Sequence, residues 1–217
     1  MQLIWFRQDL RIHDHAALWH ATQQGSCIAL VVLSPEQWKR HQDARIKIDF
    51  YLRRLDVLKQ QLAQLNIPLI ILNVPLWQDL PAEMLSLCQK LQIDTLHANI
   101  EVGVNELQRD AQVQQMLEQQ QIRVELYHDR SLFPLTSIRN QSNQPYQVYS
   151  AFKKKCYERL IQNIPGCYPD IQAQDPVELP DQLTSFDLQK FAANYEVDHA
   201  AQLWPAQDHT ALELLDD

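Results

Sequence analysis

Short, largely apolar runs recur along the first 130 residues, at 3–6, 27–33, 68–74, 95–98 and 123–126. Runs that are apolar at consecutive positions read as strands covered on both faces, because successive side chains point to opposite sides of a sheet. Longer amphipathic stretches lie between them. The clearest spans 44–65, where Ile48, Leu52, Leu55, Leu58, Leu62 and Leu65 recur at spacings of three and four, the stripe of a helix that buries one side. A second, over 81–91, opens on a proline and aligns Met84, Leu87, Cys88 and Leu91. A weaker one covers 104–117, with Val104, Leu107, Ala111 and Leu117. Strand and helix in alternation, joined by right-handed crossovers, predict an α/β domain over residues 1–130: a Rossmann-like, doubly wound, five-stranded parallel sheet with helices on both faces.

The pattern changes after Ser131. Residues 131–150 are rich in Pro, Ser, Asn and Gln and read as loop, and 151–161 forms a short basic helix with Lys153, Lys154, Lys155 and Arg159. Four prolines fall within 163–183, a composition suited to an interdomain linker. Beyond Leu203-Trp204-Pro205 a helix-like stretch at 211–215 ends with the chain. Residues 131–217 are therefore expected to be a linker and the start of a further, missing helical domain.

Composition narrows the chemistry. Nineteen Lys and Arg stand against 27 Asp and Glu, a net charge of −8, the wrong sign for a domain whose main work is gripping phosphate backbones. Cys27, Cys88, Cys156 and Cys167 form no C-x-x-C pair, so neither a disulfide framework nor a zinc site is implied. Cys27 and Cys88 fall in apolar patterns and read as small buried hydrophobes. The chain opens directly on a strand, without a basic leader, and no apolar run approaches the roughly 18 residues of a membrane span. The expected compartment is the cytoplasm. With only Gly25, Gly103 and Gly166, no G-x-G-x-x-G follows the first strand, which excludes a dinucleotide bound in the Rossmann manner.

One string is more specific. Trp5-Phe6-Arg7-Gln8-Asp9-Leu10-Arg11-Ile12-His13-Asp14 resembles the opening strand and loop of the photolyase/cryptochrome family, whose signature is W-F-R-x-D-L-R-x-H-D; His15 departs, since an Asn commonly follows. From the residues alone, Asp9 is expected to pair with an arginine and stiffen this loop. Further segments fall in family order: 34–38, 50–72, 98–106, Tyr146-Gln147-Val148-Tyr149-Ser150-Ala151-Phe152-Lys153, and Leu203-Trp204-Pro205. Ala151 stands where the family has Pro, Cys156 where an aromatic is common, and Gln207 in a Gly position.

The resemblance is to the antenna-chromophore domain of a class I photolyase that repairs cyclobutane pyrimidine dimers. It implies that Asn105 and Glu106 occupy positions that hold a 5,10-methenyltetrahydrofolate antenna, and that His41 is a folate-contacting histidine in the loop after the second strand. The chemistry suits the residues: a pterin ring offers N–H and NH2 donors side by side on one edge, and a carboxylate accepts both. Read without the family, Glu106 is an acid favouring a helix dipole, Asn105 a cap and His41 a surface residue. In the family, FAD, the damaged DNA and the electron-transfer tryptophans belong to a helical domain downstream, so this chain alone is expected to be catalytically inactive. A cryptochrome-like photosensor and a stand-alone nucleotide-binding α/β protein are the alternatives. The His13/His15 pair lacks a third ligand at metal spacing, and the Lys153–155 face reads as solvated or as facing an acidic partner helix.

Overall fold

The computed structural model describes residues 1–208; the helix expected over 211–215 lies outside the described residues. Five strands, β1 (Gln2–Phe6), β2 (Cys27–Leu33), β3 (Leu69–Asn73), β4 (Thr95–Asn99) and β5 (Arg123–Tyr127), form one all-parallel sheet in the order β3-β2-β1-β4-β5. The predicted second strand matches to the residue, the third is one residue shorter at each end than expected, and the others differ by one position at one end.

Strand periodicity builds the two halves of the core. Ile4 and Phe6 of β1 point to one face, against Ala17 and Leu18 of α1 (Ala16–Gln24) and Leu52, Leu55 and Leu58 of α3 (Arg45–Gln64). Leu3 and Trp5 point to the other, against Met84 of α4 (Leu80–Lys90) and Val113 of α5 (Val104–Glu118). Each large apolar side chain buried this way contributes about 1.5–3 kcal/mol relative to exposure.

Two helices escape the hydrophobic pattern. α1 buries Ala16, Ala17, Leu18 and Ala21, a face of small residues that lets the helix approach the sheet closely but carries little periodic signal. Its cap is His15, whose Nδ1 accepts from the Leu18 backbone N–H at 3.0 Å. The imidazole thus does the work for which Ser, Thr, Asp or Asn is usual, which accounts for its tolerance at a position where the family commonly has Asn. α2 (Pro35–His41) buries no side chain at all and leaves no stripe to read.

The Pro-rich stretch is extended, as its composition predicts, yet it packs along the domain. Ile171 packs on the α1/α3 side, and Val177, Leu179 and Leu183 pack on the other. Gln174 fastens it: its side chain accepts from the Cys27 N–H at 2.8 Å and donates to the Cys27 and Asn66 carbonyls, both at 3.0 Å. By contrast α6 (Tyr149–Gln162) buries none of its 14 residues.

The chain runs from β1 outward to β3, then crosses to β4 on the other side of β1. Such a reversal opens a crevice beyond the strands' carboxyl ends, where neighbouring loops diverge.

Candidate functional site

A cleft occupies that rim. Arg7 and Gln8 follow β1; Val32, Ser34 and Trp38 come from the end of β2 and from α2; Trp77 follows β3; Glu101, Glu106 and Arg109 come from the turn after β4 and from α5. Asp43, before α3, and Lys47, Ile48 and Tyr51 at its start complete the wall of this open-mouthed cleft.

Glu106 owes its position to the glycine before it. Its carboxylate folds back over Gly103, where a Cβ would collide with it. The backbone of Gly103 is extended, with φ at −69°, so here the absence of a side chain matters and conformational freedom does not.

The floor is a stack of cations on aromatic rings. Arg109 lies over Trp77 at 4.6 Å and over Trp5 at 4.8 Å, and Arg7 lies over Trp5 at 4.7 Å. Their partners differ sharply. Arg109 donates to Glu101 at 2.8 Å and to Asp110 at 2.6 and 2.9 Å. Burial alone would lower its pKa, but Asp110 and Glu101 outweigh that and raise it. Arg7 is 6% exposed, yet none of its Nε, Nη1 and Nη2 atoms has a hydrogen-bond partner. The nearest carboxylate oxygen, on Asp110, is 3.7 Å away. Desolvation accordingly pulls the Arg7 pKa down, against the attraction of Asp110, Asp9 and Glu101. Ser34 is a second case: 2% exposed, on the cleft wall, with an unpartnered Oγ. Burial also pushes the Tyr51 phenol upward, so it is neutral at physiological pH.

A separate polar cluster sits on the same rim. Asp9 accepts from the Arg7 backbone N–H at 2.8 Å, from His15 Nε2 at 3.0 Å and from Asn99 Nδ2 at 2.8 Å. Because His15 Nδ1 accepts from Leu18, its proton sits on Nε2 and points at Asp9. Burial would raise the Asp9 pKa, but the hydrogen bond from His15, with the Arg7 charge and backbone N–H, overcomes it and holds it well below the usual carboxylate range. Asp9 therefore takes a histidine and an asparagine as side-chain partners where an arginine was expected. The arginine of that loop, Arg11, pairs instead with Asp129 at 2.8 Å. The two imidazoles of the H-x-H serve different neighbours, since His13 faces Asp170 at 3.1 Å.

The family-implied site residues separate in space. Glu106 is half-buried and lines the cleft. His41 is exposed and ends α2 rather than lying in a loop; its ring meets Trp77 edge-on at 4.9 Å and so backs the cleft wall from outside. Asn105 is exposed at the start of α5 and is not among the lining residues. Sequence reasoning passed over Arg7, Ser34, Trp77 and Arg109. One signal was available: Glu106 and Arg109 lie three apart on one helix, whereas Arg7 lies past the end of β1.

Comparison with known proteins gives a consistent result. The profile of the DNA photolyase family matches residues 2–170. The deoxyribodipyrimidine photo-lyase of Buchnera aphidicola from Acyrthosiphon pisum is 34% identical over 195 residues, 89% of this chain and 40% of that protein. The Vibrio cholerae enzyme of the same name is 36% identical over 71% of this chain and 33% of its own length. A bacterial class III photolyase from Agrobacterium tumefaciens shares the fold with a TM-score of 0.78 at 19% identity, over 100% of this chain and 44% of that one. The chain thus spans less than half the length of these proteins.

Proposed function

The chain belongs to the DNA photolyase family, and on that premise we propose that it is the antenna-binding domain of a photolyase, with the cleft on the sheet's carboxyl rim as the chromophore seat. The observation that carries this is a half-buried carboxylate, Glu106, facing the same cleft as two buried polar groups, Arg7 and Ser34, that lack partners. Buried polar atoms are nearly always paired. Two orphans on one concave wall fit a polar, planar ligand.

The chromophore class we favour is a reduced folate, 5,10-methenyltetrahydrofolate. Bound, it would absorb near-ultraviolet light and pass the excitation on. The protein's part is binding and orientation. Glu106 would accept the paired N–H and NH2 donors of the pterin edge, at about 1.5–3 kcal/mol for each bond to its charge. Trp77 would supply an apolar wall, and the ion-paired Arg109 would keep it rigid. Asn105 and His41, exposed beside the mouth, would touch what projects from it.

The parent activity in this proposal is that of a deoxyribodipyrimidine photo-lyase: light-driven reversal of a cyclobutane pyrimidine dimer flipped out of DNA, using reduced FAD. Flavin and lesion are assigned to the part of such enzymes that these residues do not span, so a polypeptide limited to them should not repair DNA. A cytoplasmic setting fits this role. No helix among the described residues is long and apolar enough to cross a membrane. Family membership, beyond fold alone, argues against a stand-alone nucleotide-binding protein.

The test is titration of the chain with 5,10-methenyltetrahydrofolate, followed by near-ultraviolet absorbance of the bound fraction and by the unfolding midpoint. Binding that weakens roughly tenfold in Glu106→Gln supports the proposal. No retained absorbance and no midpoint shift would end it.

A further inference from the structure

We propose that Arg7 is a specificity-determining residue of the cleft, donating to a ring carbonyl of the bound heterocycle beside the N–H that Glu106 accepts. The inference rests on the antenna reading of the cleft and deepens it, by naming the ring edge that is read.

The two arginines stacked on Trp5 differ in how their donors are used. A guanidinium carries five N–H donors in a fixed fork. Arg109 spends its donors on Glu101 and Asp110. Arg7, equally buried, has none of its three nitrogens in a hydrogen bond, although it lines the cleft. Stacking on Trp5 at 4.7 Å holds the guanidinium plane in place but satisfies no N–H. Glu101 and Asp110 Oδ1 are committed to Arg109, and Asp110 Oδ2 stays 3.7 Å from Arg7, an ion pair beyond hydrogen-bond reach, so the guanidinium keeps donors free for a ligand in the cleft.

Charge decides what kind of acceptor. Arg7, Lys47 and Arg109 face Asp43, Glu101 and Glu106 across one cleft, so the wall is close to neutral and a fully anionic group would meet Glu106 as well as Arg7. A neutral carbonyl flanked by an N–H suits both residues. That pattern, acceptor next to donor, is the lactam edge of a fused heterocycle. A pterin presents it as C4=O and N3–H with a 2-amino donor beyond; an isoalloxazine presents C4=O and N3–H with a second carbonyl beyond. Glu106 can accept two adjacent donors, which favours the pterin. A 4-amino analogue would turn an NH2 donor toward the guanidinium donors and leave Arg7 unpaired, and a site built around a polar contact rejects ligands that cannot make it.

The test is equilibrium dialysis of the 217-residue chain against three probes: a 4-oxo folate (5,10-methenyltetrahydrofolate, with folic acid as its oxidised control), aminopterin, which is the 4-amino counterpart of folic acid, and FMN. The expected order is the 4-oxo folate first, with aminopterin weaker by roughly 10- to 100-fold, and FMN between or below. Arg7→Met should reduce folate affinity by a similar factor while leaving aminopterin unchanged or tighter; Arg7→Lys, which keeps the charge but loses the fork, should recover only part of it. Aminopterin binding the wild-type chain as tightly as the 4-oxo folate overturns the proposal without recourse to a variant. So does an Arg7→Met chain that retains full folate affinity, in which case the antenna reading stands and only the role of Arg7 falls. If none of the three probes binds, the antenna reading itself fails and this inference goes with it.

Discussion

Two polar clusters lie on the same carboxyl rim, both beginning in the β1 loop, and they differ in whether their hydrogen bonds are made. Around Asp9 every donor has an acceptor: the Arg7 amide, His15 and Asn99 all converge on one carboxylate. Around Arg7 a guanidinium and the Ser34 hydroxyl are buried without any. The first arrangement is complete and gives the fold its stiffness. In the proposed function, a bound ligand completes the second. Burial alone does not separate architecture from function here; satisfaction does.

Substitutions can break this contrast, and the largest effect is expected on the satisfied side. Asp9→Ala strands the Arg7 amide and His15 Nε2 and leaves Asn99 only its bond to Asp129 at 3.0 Å, and should cost about 3–5 kcal/mol of stability in urea unfolding. Arg109→Met leaves Glu101 buried without its cation and Asp110 with only Arg7 at 3.7 Å, and should cost about 3 kcal/mol by the same measurement.

Acid provides a third probe. His97 is wholly buried, with Nδ1 2.9 Å from the Tyr127 hydroxyl and Nε2 2.9 Å from Gln2 Oε1. Burial lowers its pKa from 6.5 to about 4. Between those values the unfolded chain takes up a proton that the folded chain refuses, so stability is full above pH 6.5 and falls as pH drops toward 4, by roughly 2–3 kcal/mol. His97→Gln should flatten that window. Asp9, whose pKa is depressed, contributes stability above the ordinary carboxylate pKa of about 4 and loses it only at lower pH, so its loss should remain in the variant. The smallest effect on stability, and the sharpest contrast, is Arg7→Met. Removing a buried cation that makes no hydrogen bond and only a 3.7 Å ion pair with Asp110 should change stability by no more than about 1 kcal/mol, while ligand affinity falls. A large destabilisation would place Arg7 with the architecture after all.

The two sides were unequally legible in the sequence. All five strands could be read because they are short, largely apolar runs, and α3 because its apolar residues repeat at spacings of three and four. α1 could not, since its buried face is mainly alanine and its cap a histidine. Asp9 was expected to take an arginine because arginines are its chain neighbours; its actual partner Asn99 lies 90 residues away and arrives only when β4 pairs with β1. Glu106 was legible through the resemblance, whereas Arg7 stood in the quoted motif and was read as part of a stiffened loop. Whether a buried donor has an acceptor is a property of the folded neighbourhood, and no spacing rule encodes it.

The most direct measurement is a crystal structure of the chain soaked with 5,10-methenyltetrahydrofolate. The account predicts the pterin ring inside the cleft, its donor edge on the Glu106 carboxylate and a ring oxygen within hydrogen-bond reach of Arg7. Ring density on the outer surface near Asn105 and His41, with Arg7 still unpartnered, would contradict it.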